Sequence, residues 1–337
     1  MADNIQILNS IRLTASELYK SRIPLATREN IVEVGNEITN WEVSRNEVYN
    51  ALINRIGKVI IRAAETSNPL AVFKKGQLEY GMDIEDVWVD LLEARTFDAK
   101  KAEEEIFKTV DAKVLSVFHR ENRRDKYKVT TRNTQLKKAF LNPSGLQNLV
   151  QTIVSRLYAS DTYDEFILAK NLISTYDGYH NINVGEITGK ESMENFVRAV
   201  RLASTSMTFV SDKYNKQKVK TTTPVSKQVL IIHKDIEPVI SVDVLAWAFN
   251  QDKANFNVPI ITVDDFGEDD KTYAKLIDRE FLMIYDTNYE TSSLYNNDGL
   301  YTNHWLHHWQ LYSHSPFLNA VSFNADERPN EQTPVEG

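Results

Sequence analysis

Apolar residues recur with helical spacing along one unusually long stretch, residues 146–177, which contains neither Gly nor Pro. Because these residues return every three or four positions, one face of a helix must be buried. At about 1.5 Å per residue, such a helix spans roughly 45 Å, more than most domains need. Ser160, Asp161 and Thr162 interrupt its apolar face near the middle. We expect a bend or short break there, with Asp161 or Thr162 capping the second half.

Helical spacing also predicts shorter helices over residues 3–20, 41–62 and 192–207. Residues 25–40 mix polar and apolar side chains around Gly35, and we interpret them as a connector. The polar residues 211–223 are predicted as a mobile loop.

A period of two, typical of β-strands, marks residues 82–91, and residues 114–118 form a second strand-like run. Together they predict a two-stranded excursion whose charged connection, residues 98–109, is helix-like. A lone two-stranded ribbon is only marginally stable in water. We therefore expect this excursion to project from the body and to find support on another molecule.

The second half of the chain predicts an α/β lobe. Apolar runs at residues 229–232 and 258–263 indicate strands, a helix is expected at 241–250, and residues 273–285 supply one or two more strands. Residues 300–323 alternate strongly but are broken by Pro316, which predicts a long pair of strands. Those after Asn324 are expected to form a loose tail.

Composition excludes several functions. The chain has 337 residues and no Cys, so disulfides, thiolate nucleophiles and cysteine-ligated zinc are ruled out. Its apolar runs are far too short to cross a bilayer, and we expect a cytoplasmic product without a membrane partner. No phosphate-binding glycine loop or nucleophile motif occurs, and neither an enzyme activity nor a cofactor is predicted.

Charge is segregated into two neighbouring blocks. Residues 79–105 hold ten acidic and three basic residues, a net of -7, whereas residues 112–138 hold nine basic and two acidic, a net of +7. The formal net charge of the chain is -8. We predict that these blocks meet oppositely charged surfaces across subunits. The candidate assembly contacts are Asp83, Glu85, Asp86, Trp88, Arg120, Arg123, Arg124 and Lys126.

Two other interpretations compete with an interaction protein. His304 and His308 fall on one face of a predicted strand and His307 on the other, and with the acidic run 264–270 they suggest a metal-dependent hydrolase. Half-buried strand residues and a solvated acidic loop are the favoured interpretation of these groups. The residues from Arg120 to Lys128 interleave cations with aromatic rings, which also suggests a nucleic-acid-binding module.

A series of short blocks carries a family resemblance. The blocks are Pro24-Leu25-Ala26-Thr27, Arg55-Ile56-Gly57, Asn68-Pro69-Leu70, Phe73-Lys74-Lys75-Gly76-Gln77, Phe118-His119-Arg120-Glu121-Asn122-Arg123, Asp243-Val244-Leu245-Ala246, Ala248-Phe249-Asn250, Phe281-Leu282-Met283-Ile284-Tyr285-Asp286, Gly299-Leu300-Tyr301 and Asn319-Ala320-Val321. With these blocks in this order, the chain resembles the major capsid (head) proteins of the small short-tailed phages with protein-primed DNA replication, the group around Bacillus phage phi29.

The resemblance implies an α+β chain with the Hong Kong 97 fold of tailed-phage capsids. It assigns an N-terminal arm, an extended loop hairpin, a peripheral domain with a spine helix, an axial domain and a flexible tail. Their ranges are 1–66 for the arm, 67–135 for the loop, 136–177 and 287–323 for the peripheral domain, 178–286 for the axial domain and 324–337 for the tail.

The function implied is structural. Copies of the chain would form the hexamers and pentamers of an icosahedral or prolate head around double-stranded DNA, without sequence-specific DNA contacts. A scaffolding protein and a portal protein are the other implied partners. Assembly is expected in the cytoplasm of the host bacterium, and the product is the virion.

Overall fold

Two sheets joined by one long helix form the body of the chain in the computed structural model, with a small third sheet projecting from it. The structure describes residues 4–41, 43–45, 47–48, 51, 68–79, 82–92, 94, 109, 111–140, 145–236, 258–267 and 271–326. The helix predicted at 241–250 and the charged connection at 98–109 lie outside these residues except for position 109, as do most of the helix at 41–62 and of the predicted tail.

Six helices have bounds within these ranges. They are α1 (Asn4–Thr14), α2 (Glu17–Arg22), α3 (Ile31–Asn40), α4 (Asn133–Phe140), α5 (Gly145–Thr175) and α6 (Lys190–Met207). Short 3₁₀ turns occupy Pro69–Phe73 and Val225–Lys227. The strands are β1 (Lys74–Gln77), β2 (Ile84–Val89), β3 (Val114–His119), β4 (Arg123–Arg132), β5 (His180–Asn183), β6 (Gln228–His233), β7 (Ile260–Val263), β8 (Thr272–Asp278), β9 (Leu282–Asn296), β10 (Tyr301–His314) and β11 (Ala320–Asn324). No helix within the described ranges is both long and apolar enough to span a membrane.

A four-stranded sheet in the order β1-β9-β10-β4 forms the first half of the body. The long strands β9 and β10 make an antiparallel hairpin, β4 pairs antiparallel with β10, and β1 adds a parallel edge. Helices α1 to α4 and the first half of α5 share one apolar core with this sheet, which includes Leu8, Ile38, Leu136, Leu157 and Leu306. The core fixes one face of the sheet against helices.

A five-stranded sheet in the order β5-β11-β8-β6-β7 forms the second half. Alternate residues of β6 point to opposite faces, as the pleat of a strand requires. Val229 and Ile231 join a core with Ile173 at the end of α5, whereas Leu230 and Ile232 join a core with Phe196 of α6. This sheet is therefore covered by a helix on each side.

The structure places two segments differently from the implied domain ranges. β9 begins at Leu282 and lies in the four-stranded sheet, so the expected boundary at 286/287 cuts through one strand. β11 pairs with β8 and β5 in the other sheet. The strands over residues 300–323 are thus not a pair with each other, because the turn after His314 carries the chain from one sheet into the other.

The long helix is confirmed, but the break expected at residues 160–162 is wrong. α5 runs for 31 residues without interruption. Thr162 donates its hydroxyl to the carbonyl of Tyr158 one turn back, at 2.8 Å, and so does not cap a new helix. Asp161 is 3% exposed because it faces the four-stranded sheet and finds charged partners there. The polar patch is an interior contact of a continuous helix.

Two predicted irregular segments are also more ordered than expected. Ile31–Asn40 of the predicted connector is a helix, since Val34 and Ile38 lie one turn apart and are both buried. In the predicted mobile loop, Asn215 is fully buried and makes two hydrogen bonds to the backbone of Val219. Its side chain donates to the Val219 carbonyl at 2.7 Å and accepts from the Val219 N–H at 2.8 Å.

Candidate assembly site

The predicted two-stranded excursion is present as a ribbon, defined as β2 paired antiparallel with β3. Among the described strands, these two form a sheet of their own. One face of the ribbon is exposed and mainly apolar: it carries Val87, Val89, Val114 and Phe118, each at least half exposed, beside the exposed Glu85. Such a face has too little covering to hold a two-stranded unit by itself.

The other ribbon face carries two of the predicted contact residues, Asp86 and Trp88, and both are half-buried. Asp86 faces His119 at the end of β3, with 3.7 Å between Oδ2 and Nε2. His119 in turn lies 2.6 Å from the Ser313 hydroxyl of β10. Burial raises the pKa of Asp86, but its interactions with His119 and Ser315 outweigh burial and lower the pKa overall. These contacts fix the root of the ribbon to the four-stranded sheet.

Arg120 and Asp83 form an ion pair at the same root, with 2.9 Å between Nε and Oδ2. Both side chains are exposed, Arg120 by 75%. Exposed pairs of this kind contribute at most about 1 kcal/mol. The two residues predicted as contacts between subunits are therefore partners within one subunit, held loosely enough to exchange.

The face of the four-stranded sheet turned away from α5 carries a row of cations, which we call the cation strip. It consists of Arg124, Lys126 and Lys128 on β4 with Trp305 and Trp309 on β10. Arg124 lies over the Trp309 ring at 5.1 Å from its centroid, and Lys128 over Trp305 at 5.6 Å. All three cations are exposed. At about 6.7 Å between alternate strand residues, they present a regular positive row.

Arg123, predicted as an assembly contact, is the exception. It is 5% exposed and points toward α5, because alternate residues of β4 face opposite sides of the sheet. Its guanidinium donates to Asp161 at 2.9 Å, Asp125 at 2.6 Å and Tyr127 at 2.8 Å, and also to Gln310. Arg123 therefore cannot reach another subunit without leaving its own core.

Arg123 belongs to a cluster, here named the ion network, that joins α5 to the sheet; Arg123, Asp161 and His308 are buried, whereas Lys74, Glu165 and Asp286 are partly exposed. Its charged members are Arg123, Asp161, Glu165, His308, Asp286 and Lys74. Lys74 of β1 pairs with Glu165 at 2.8 Å and with Asp286 at 2.9 Å. Gln310 donates to Glu165 at 2.6 Å and Asp286 at 2.7 Å. Three carboxylates thus face two permanent cations and one imidazole.

Burial and ion pairing shift the pKa values of these groups in opposite directions. Burial alone would lower the pKa of His308, but hydrogen bonds to Asp161 and Asp286 outweigh it and raise that pKa above 6.5. Burial raises the pKa of Asp286, yet His308 and Lys74 bring it below 3.8. Burial lowers the pKa of Lys74, whereas Glu165 and Asp286 raise it overall. The charged forms of His308, Asp286 and Lys74 are therefore favoured.

The metal-dependent hydrolase is not supported. Of its acidic run, Asp264 and Asp265 lie within the described residues, and both bind Lys170 instead of the histidines, at 3.0 and 2.9 Å. His304 and His308 do share one strand face, as predicted, but both are fully buried and out of reach of a substrate. Burial lowers the pKa of His304 to about 4, and the Ser293 hydroxyl lies 2.8 Å from its Nδ1.

Asp161, Glu165 and His308 each offer a ligand atom within 4.8 Å of the others. Those atoms already have partners, since Arg123 and His308 bind Asp161 while Lys74 and Gln310 bind Glu165. The protein's own cations occupy the positions that a metal ion would need. We interpret the cluster as a structural ion network.

Sequence reasoning missed Lys74, Glu165 and Asp286 altogether. A signal for two members was present: Asp161 and Glu165 continue the apolar row of Leu157 at intervals of four, so they lie on the buried face of α5. Carboxylates on a buried face require charged or hydrogen-bonding partners. The partners come from β1, β9 and β10, and no local pattern connects such distant strands.

Comparison with known proteins assigns the family. The model of the Phi29-like phage major capsid protein family matches residues 8–324. The major capsid protein of Bacillus phage B103 is 32% identical over 329 residues, 96% of this chain and 73% of the relative. That of Streptococcus phage Cp-1 is 30% identical over 348 residues, 96% of this chain and 95% of the relative.

Solved structures agree on the fold. The capsid structure of Staphylococcus phage Andhra contains a chain that superposes with a TM-score of 0.61 at 14% identity, over 76% of this chain and 83% of that one. The shared architecture is the α+β Hong Kong 97 fold of tailed-phage capsids. Together with the sequence matches, it identifies a structural protein of a virion shell that assembles with copies of itself. The chain belongs to the Phi29-like family of phage major capsid proteins.

Proposed function

We propose that copies of this chain form the hexamers and pentamers of a phage head, with the ribbon of one subunit lying over the cation strip of its neighbour. The observation that carries this proposal is the exposed ribbon face with Glu85, Val87, Val89 and Phe118. An apolar and acidic face is complementary to a strip that combines tryptophan rings with Arg124, Lys126 and Lys128.

The contact set differs from the one inferred from sequence. Glu85, Arg124 and Lys126 remain as proposed contacts between subunits, since all three are exposed. Asp83, Asp86, Trp88 and Arg120 hold the ribbon at its root or line its half-buried face. Arg123 is left out, because it is buried in the ion network.

Weak repeated contacts suit assembly. Each exposed ion pair contributes at most about 1 kcal/mol, so misplaced subunits dissociate before the shell closes. The apolar residues of the ribbon contribute more to the free energy of association, at about 25 cal/mol per Å² of apolar surface buried. The charges therefore determine the register of the contact, and the burial of Val87 and Phe118 supplies most of its stability.

The further partners rest on the family. We infer a scaffolding protein and a portal protein, assembly in the cytoplasm of the host bacterium, and enclosed double-stranded DNA. The formal net charge of -8 supports an interior that does not bind DNA tightly. The peripheral and axial domains of the fold are assigned to the four-stranded and the five-stranded sheet respectively.

Negative-stain microscopy of the full chain, expressed with and without a scaffolding partner, tests the proposed contact. We expect the double variant Arg124→Glu/Lys126→Glu to fold but to form no closed shells. The matched control is Lys137→Glu/Lys138→Glu, which makes the same change of charge at two exposed positions of α4. Normal shells from the first variant, or equal loss from both, would overturn the contact between ribbon and strip.

A further inference from the structure

His308 bridges two elements that are otherwise separate in sequence. Its Nδ1 lies 2.7 and 2.8 Å from the two carboxylate oxygens of Asp161 on α5. Its Nε2 lies 2.9 Å from Asp286 Oδ1 on β9 and 3.7 Å from Glu165 Oε1 on α5. The imidazole is fully buried, so no solvent replaces these partners.

This geometry requires a proton on each ring nitrogen. A neutral imidazole has one N–H donor and one lone pair. If His308 were neutral, one of its nitrogens would direct that lone pair at a carboxylate, and either the bond to Asp161 or the bond to Asp286 would be lost. Only the imidazolium donates to both.

Charge favours the same state. The carboxylates of Asp161, Glu165 and Asp286 face the cations Arg123 and Lys74, and Arg123 also pairs with the partly exposed Asp125. A protonated His308 supplies a third positive charge. Without it, the excess of carboxylates over cations grows at a site with little solvent, which is unfavourable.

Every element around His308 contributes to this environment. Tyr289 of β9 packs edge-on against the imidazole, with 4.6 Å between ring centroids. Tyr127 of β4 donates to Asp164 of α5 at 2.6 Å. The titratable and charged groups that surround the imidazole are Asp161, Asp164 and Glu165 of α5, Asp286 and Tyr289 of β9, Arg123, Asp125 and Tyr127 of β4, Lys74 of β1 and Tyr312 of β10.

We propose that His308 is a proton-dependent clasp that fixes the middle of the long helix on the four-stranded sheet. When protonated, it ties Asp161 to Asp286. When it loses a proton, one of these two ties is lost, and the helix is still held at this point by Arg123, Lys74, Gln310 and Tyr127. Proton concentration then controls how tightly α5 is held on the four-stranded sheet.

The sign of the effect follows from the raised pKa of His308. The stabilisation is fully present below the unfolded value of about 6.5 and is lost as pH rises through the folded value. Because the pKa of Asp286 is lowered, the stabilisation that Asp286 contributes is present above about pH 3.8 and is lost in stronger acid. The clasp is therefore closed in acidic solution between about pH 3.8 and 6.5 and opens as the pH rises through the raised pKa of His308.

Denaturant unfolding of the full chain as unassembled subunits, between pH 5.5 and 9, tests the clasp. In the wild type, the unfolding equilibrium constant should rise by up to about tenfold per pH unit from about pH 6.5 to the folded pKa. His308→Gln should abolish this rise. His307→Gln is the matched control, since His307 is the neighbouring residue on the opposite, partly exposed face, and its profile should match the wild type. Identical profiles for all three proteins would overturn the proposal.

A second measurement does not need the variant to fold. Ring ¹⁵N spectra of the wild type, labelled at its seven histidines, should contain an imidazole that keeps both ring protons as the pH rises above about 6.5. The buried His304 and the half-buried His180 and His314 are not alternatives, because burial lowers the pKa of each to about 4. If none of the seven keeps both protons above about pH 6.5, the clasp does not exist. Added zinc that stabilises the wild type, reversibly on chelation, would also refute the clasp and would make the cluster a metal site.

Discussion

The two faces of the four-stranded sheet use charge in opposite ways. On the face toward α5, the buried Arg123 and His308 both bind the buried Asp161 of the helix. On the opposite face, Arg124 and Lys126 of β4 are exposed, and Arg124 directly follows the buried Arg123. A shift of one residue along β4 therefore separates Arg123, whose charge joins the helix to the sheet, from Arg124, whose charge lies on the subunit surface.

Neighbouring cations in a basic strand therefore do not share one role. The cations from Arg120 to Lys128 look like one patch in sequence, but the pleat of the strand divides them between an interior and a surface. Interior charges are strongly coupled because little solvent screens them, whereas surface charges are screened by water and salt. We therefore expect the inner face to determine subunit stability and the outer face to determine association.

The largest expected effect comes from removing the buried arginine. Arg123→Ala leaves Asp161 without its guanidinium partner in a buried site and should lower the free energy of unfolding by about 3–5 kcal/mol. Its neighbour Arg124 is the matched control, and Arg124→Ala should cost less than about 1 kcal/mol. Urea unfolding of unassembled subunits measures both. Equal small losses would mean that burial does not distinguish the two faces.

A smaller effect is expected from a single hydroxyl at the edge of the ion network. Tyr127 donates to Asp164 at 2.6 Å and accepts from Arg123 at 2.8 Å. Tyr127→Phe removes both charge-assisted bonds and should lower the free energy of unfolding by about 1.5 kcal/mol.

The control for this change is Tyr301→Phe on β10. The Tyr301 hydroxyl accepts a neutral hydrogen bond from Asn296 at 3.0 Å. We expect a loss of no more than about 1 kcal/mol there. If Tyr301→Phe lowers the free energy of unfolding as much as Tyr127→Phe does, then the charged partners of Tyr127 do not make its hydrogen bonds any stronger than a neutral one.

Much of the fold could be predicted because its signals are local. The long apolar stripe of α5, the alternation in the ribbon strands and the apolar run of β6 each determine their own element. The long helix and the ribbon were predicted in nearly the observed places. The overall architecture came from the family resemblance, which ordered these elements into a known fold.

The buried site could not be predicted, because its residues converge from distant parts of the chain. Asp161 was interpreted as a helix cap, since a polar residue within an apolar stripe favours a break when no partner is known. Its partners Arg123 and His308 lie 38 and 147 positions away. Only the sheet order, with β10 between β4 and β9, brings those side chains under one turn of the helix.

The smallest expected effect is the response of the inner face to salt, and it separates the two faces most directly. Raising NaCl from about 0.1 to 1 M shortens the screening length from about 10 to 3 Å, but ions screen only charges that they can approach. The difference in free energy of unfolding between wild type and Arg123→Ala should therefore change by less than about 0.5 kcal/mol. Over the same range, shell assembly should slow in the wild type, since its cation strip is exposed. Measuring a difference between two proteins cancels the general effect of salt on burial. If that difference falls with salt as steeply as assembly does, the ion network is open to solvent and the contrast between the faces is lost.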